Sequence, residues 1–122
     1  MNQTFEIPFR LPSLNEYVNA NRRNRYAGAK LKKDIERDIC FAIKAAKLQP
    51  VTGPCIVKMT FTEPNRRRDV DNVESAKKYV LDALVSSGIL QGDSPKYVSS
   101  APSFTAYGDQ AKVTVELQEA DA

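Results

Sequence analysis

With 122 residues, 42% of them hydrophobic and 27% charged, the chain has the composition of one globular domain spanning 1–122, and it lacks any apolar run long enough to cross a membrane. It has no histidine, which excludes Ser-His-Asp triads, Cys-His dyads and almost every structural zinc site; its two cysteines cannot build a disulfide framework, and a cytoplasmic protein is expected. The net charge of +3 is unevenly spread: residues 1–68 hold 14 Lys/Arg against 6 Asp/Glu, and residues 69–122 hold 4 against 9, which suggests a polyanion-binding part beside an acidic part.

Thr4–Phe9 alternates Phe5, Ile7 and Phe9 with other residues, so a strand is expected, stopped by Leu11-Pro12-Ser13. Residues 15–27 read as an irregular basic segment rich in asparagine and ended by Gly28. Residues 29–48 carry Leu31, Ile35, Ile39, Ile43 and Ala46 at helical spacing. Cys55, Val57, Met59 and Phe61 alternate in a second strand, in which Cys55 is an apolar core residue. A second helix is predicted from about Asn72 to Ser87, with Gly88 as its stop signal. Tyr97–Tyr107 and Lys112–Gln118 read as two strands joined in a hairpin around Gly108-Asp109. The order β-α-β-α-β-β implies an α+β domain, a mixed sheet with two helices packed against it.

Chemistry concentrates in Arg66-Arg67-Arg68-Asp69-Val70-Asp71-Asn72. In extended backbone residues i and i+2 point the same way, so Asp69 and Asp71 would present two carboxylates to one point. Convergent carboxylates suit a hard divalent cation such as Mg²⁺, and neighbouring arginines are natural company for phosphate. The alternative is that both acids are helix caps, Asp71 with Glu74 resembling a capping box, and that the arginines form a solvated turn. On an unbroken helix Asp71, Ser75, Lys78 and Asp82 fall within about 60° of one another, a polar stripe that selects Lys78 over Lys77. The lysine stem leans toward the helix N-terminus, which would bring its ammonium toward the carboxylates. An exposed ion pair between Lys78 and Asp82 is the alternative.

Arg67-Arg68-Asp69-Val70-Asp71-Asn72, Lys78, Asp82-Ala83-Leu84 and Gly88-Ile89-Leu90-Gln91-Gly92-Asp93 together resemble the RusA family of Holliday junction resolvases. Pro12-Ser13-Leu14-Asn15-Glu16-Tyr17 resembles the segment that follows that family's first strand. The resemblance implies a RusA-like fold and a homodimeric endodeoxyribonuclease, often of prophage origin, that resolves four-way DNA junctions by paired symmetric nicks. It implies that Asp69, Asp71 and Asp93 bind one or two Mg²⁺ ions and that Lys78 is the catalytic lysine. Two positions depart from the family pattern. Lys78 lies seven residues beyond Asp71 where the shorter family form has four, and Gly92 stands where the family often has a second aspartate.

For DNA binding the candidates are Arg22, Arg23, Arg25, Lys30, Lys32 and Lys33, with Arg66, Arg67 and Arg68. These would contact phosphate and give a steep salt dependence. Tyr17 and Tyr26 are candidates for stacking on exposed bases, with burial the alternative. A C₂ dimer would supply two equivalent sites to a nearly two-fold junction. The rival reading is a non-catalytic basic nucleic-acid-binding module.

Overall fold

The computed structural model describes residues 2–120. It is an α+β domain with a mixed five-stranded sheet. In chain order the elements are β1 (Gln3–Ile7), α1 (Leu14–Arg23), α2 (Arg25–Ala45), β2 (Cys55–Glu63), α3 (Val70–Glu74), α4 (Lys77–Ser86), β3 (Val98–Ser100), β4 (Ser103–Tyr107) and β5 (Lys112–Glu119). No helix among the described residues is long and apolar enough to cross a membrane.

β2 organises the sheet because its alternation is unbroken over nine residues, with Cys55, Val57, Met59, Phe61 and Glu63 all buried. On one flank it pairs antiparallel with β5, which pairs antiparallel with β1. On the other flank β3 and then β4 lie parallel to it. The odd-numbered side of β2 faces Ile35, Ile39 and Ile43 of α2 and Val80, Ala83 and Leu84 of α4 in one apolar core.

Several expectations fail, each for a physical reason. Residues 15–27 are helical rather than irregular. Ser13 caps α1 by accepting from the Glu16 amide at 3.2 Å, and Asn24 both ends α1 and caps α2 through the Ala27 amide at 3.0 Å. Asparagine-rich composition therefore marks a helix corner here, and the sheet carries four helical segments, not two. Gly28 does not end a segment; it lies buried inside α2 against α1, where an added Cβ would stand 2.7 Å from Asn21 Oδ1 and 3.1 Å from Asn21 Cα. Gly28→Ala is accordingly expected to cost about 1–3 kcal/mol, read as a lower urea midpoint with unchanged slope.

The helix expected from Asn72 to Ser87 is broken at Ser75-Ala76. The Ser75 hydroxyl donates to Asn72 O at 2.6 Å and accepts the Leu14 amide at 3.0 Å, so its hydrogen bonds tie α1 to the break. α4 ends as expected at Gly88, whose φ of +82° suits glycine while the Ile89 amide returns to Leu84 O at 3.0 Å. The strand expected over Tyr97–Tyr107 is interrupted at Ala101-Pro102, where proline has no amide to give. The hairpin at Gly108-Asp109 does not form. β4 and β5 lie on opposite flanks of β2, and the connection passes over the end of β2, the Gly108 amide donating to Glu63 O at 3.0 Å. A turn signal shows that the chain reverses, not that the two strands it joins become neighbours.

Candidate functional site

Asp69 sits at the N-cap of α3 with extended backbone (φ −66°, ψ 146°), and Asp71 lies in the first turn. The extended stretch therefore stops at Asp69, and the same-side placement expected for residues i and i+2 does not apply across this pair. Both residues are exposed, as is Asp93. The Asp69 side chain makes no capping hydrogen bond. Among the described residues, the carboxylates of Asp69, Asp71 and Asp93 accept no hydrogen bond and form no ion pair. The capping-box alternative also fails at Glu74, whose two oxygens accept from Ser103 Oγ and Thr105 Oγ1, each at 2.6 Å. Glu74 thus anchors α3 to β4. Sequence reading missed it because its partners are 29 and 31 residues away.

Asp93 is not brought to the other two acids within one protomer. It precedes a turn whose Tyr97 carbonyl accepts from the Cys55 amide at 3.0 Å, so it lies beside the start of β2. Asp69 follows the far end of β2, joined to it by the Arg68–Glu63 contact at 3.3 Å. Eight residue steps along β2 separate its two ends by about 26 Å. Consistently, no group of three or more His, Cys, Asp or Glu side chains among the described residues is gathered as a metal centre. Gly92, beside Asp93, is packed under an aromatic ring: a Cβ there would stand 2.9 Å from Tyr97 Cδ2, so any larger residue at this position would displace Tyr97.

The polar stripe is also divided by the helix break. Ser75, Lys78 and Asp82 line a cleft of about 200 Å³ together with Tyr17, Lys32 and Tyr79. Lys78, whose side chain is 72% exposed, points its ammonium to Asp82 at 3.1 Å rather than toward Asp71. The i,i+4 partner one turn further along wins because the break at Ser75-Ala76 interrupts the path back. Burial, then the charges of Tyr17 and Glu16, raise the Tyr79 phenol above its ordinary range, so it remains protonated in this cleft.

The basic candidates divide into two kinds. Arg22, Arg23, Arg25, Lys30, Lys32 and Lys33 are exposed, and among the described residues none pairs with an acid. Arg67 is exposed as well, and Arg66 stacks on the Tyr107 ring with its guanidinium carbon 4.1 Å from the centroid. Arg68 is different. Its side chain is 13% exposed and is turned inward to Glu63 at 3.3 Å and Glu16 at 3.8 Å. It is spent on structure rather than offered to phosphate. Cys55 is buried in the core, as expected, the half-buried Cys40 thiol donates to Ala83 O at 3.6 Å, and burial pushes both thiols above their ordinary range.

No family model matches the chain, and no curated protein matches it.

Proposed function

We propose that the protein is a Mg²⁺-dependent endodeoxyribonuclease acting in the cytoplasm on branched DNA, a junction resolvase of the kind the RusA resemblance implies. One observation carries the reading: Asp69 occupies a capping position without capping, and Asp71 beside it is equally unpartnered. Two exposed carboxylates at the end of a run of three arginines, without a hydrogen-bond or ion-pair partner among the described residues, are hard oxygen donors available to a cation, which fits Mg²⁺. When bound, the metal would supply an activated water and charge stabilisation at the leaving 3′-oxygen.

The protein's own groups would do the rest. The unpaired cations of α1 and α2 hold phosphates and position the duplex without reading its sequence. Lys78 leaves Asp82 for the scissile phosphate and offsets its growing negative charge. Asp93 completes the acid set from the partner subunit of a homodimer. Asp69 precedes and Asp93 follows the α3–α4 segment, so a two-fold axis crossing α4 would bring the partner subunit's Asp93 toward Asp69 and Asp71 and form two equivalent centres.

The test is incubation with Mg²⁺ and three substrates: a synthetic four-way junction, a flap and a linear duplex. Paired symmetric nicks confined to the junction support the proposal, and equal cutting of the linear duplex sinks the resolvase assignment. A second reading, a basic DNA-binding module without catalysis, is favoured by the separation of Asp93 from Asp69 and Asp71 within one protomer. It requires junction binding that is indifferent to Mg²⁺ and no cutting of any substrate.

A further inference from the structure

The two candidate stacking tyrosines have different fates in the fold. Tyr17 is half-buried and lines the cleft beside Tyr79. Tyr26 is 80% exposed and, among the described residues, its ring and hydroxyl have no partner. It is the second residue of α2, at a corner where Asn24 alone separates α1 from α2 and caps both. The corner is held rigidly, because Asn24 Oδ1 accepts the Ala27 amide at 3.0 Å and Gly28 brings α2 into close contact with Asn21 of α1. The backbone that carries the ring is therefore held in place before any partner arrives, and only the side chain's own rotations remain to be lost on contact.

Its surroundings are cationic. Arg22, Arg23, Arg25 and Lys30 lie within about one helical turn of Tyr26 in sequence. Of the acids on the same helices, Glu16 pairs with Arg10 at 3.0 Å and Asp34 with Arg37 at 3.3 Å, and among the described residues none forms an ion pair with these four cations. An exposed ring set among unpaired cations fits a base face flanked by phosphates. Continuous duplex hides its base faces; a branch point, where stacking is interrupted, exposes them.

We propose that Tyr26 stacks on an unstacked base at a DNA branch point, with Arg22, Arg23, Arg25 and Lys30 holding the flanking phosphates. The α1–α2 corner is then the element that distinguishes branched from continuous DNA. This rests on the nucleic-acid reading above but not on cleavage, so it is tested by binding alone, in EDTA.

Junctions carry 2-aminopurine either at the branch point or within one duplex arm. The wild type and Tyr26→Phe are expected to quench the branch-point fluorophore and leave the arm fluorophore unchanged. Tyr26→Ala is expected to abolish the quenching and weaken junction binding about tenfold, with linear duplex binding within about twofold of wild type. Undiminished quenching by Tyr26→Ala overturns the proposal, as does an equal loss of affinity for junction and duplex. Absence of DNA binding by the wild type also overturns it. If the binding results hold but Mg²⁺ produces no cutting, the nuclease assignment fails and the role of Tyr26 stands.

Discussion

Asp69→Asn and Asp71→Asn are each expected to lower Mg²⁺-dependent junction cleavage by at least about 100-fold while leaving the fold intact. The substitution keeps shape and removes one charge. Neither carboxylate is hydrogen-bonded or ion-paired among the described residues, so folding loses almost nothing. Junction affinity in EDTA should be unchanged or slightly higher, since a negative group facing phosphate has been removed. A fall in melting temperature comparable to the loss of activity would show that these acids are structural after all. Asp93→Asn should be equally inactive, and the distance along β2 makes its behaviour diagnostic. If each centre takes Asp93 from the partner subunit, mixing inactive Asp71→Asn with inactive Asp93→Asn restores one complete centre per mixed dimer. Random reassortment would then recover about a quarter of wild-type single-strand nicking. Mixtures as inactive as either parent would place all three acids in one subunit or remove Asp93 from the site.

What the sequence made legible was whatever depends on neighbours in the chain. Alternation in β2, the apolar faces of α2 and α4, and the stop at Gly88 all follow from local periodicity and backbone freedom, and the structure has them. The misreadings arise where a distant residue decides. The Ser75 break depends on Leu14, 61 residues away, and without it the face shared by Asp71 and Lys78 looks continuous. β5 lies beside β2 rather than β4 because β2 offers two unpaired edges to the sheet, a fact with no local signature. Arg68 looked like its neighbours Arg66 and Arg67, and only the fold shows that Glu63 and Glu16 take it inward. The free carboxylates were recognisable as unusual from their arginine company. Their lack of capping partners was not, because an aspartate just before a helix ordinarily caps it.

Arg68 also yields the largest stability effect expected in the molecule. Glu63, 6% exposed at the end of β2, is its nearest acid, and Arg68 Nη2 is buried with no hydrogen-bond partner. Glu63→Gln leaves a nearly buried guanidinium with only the exposed Glu16 at 3.8 Å to offset it. Removing one member of a buried pair typically costs about 3–5 kcal/mol; with Glu16 remaining, about 3 kcal/mol is expected here. For a domain of this size that lowers the melting temperature by roughly 10 °C. Combining it with Arg68→Met removes the stranded charge and should recover most of the loss, because the desolvation cost of the arginine disappears with it. The double variant separates structure from chemistry: it should fold nearly as well as wild type. Its junction affinity should also stay near wild type, since Arg68 faces Glu63 rather than solvent. A stable double variant that has lost junction binding would mean that Arg68 leaves Glu63 to meet phosphate, and that the ion pair is a resting state of the free protein.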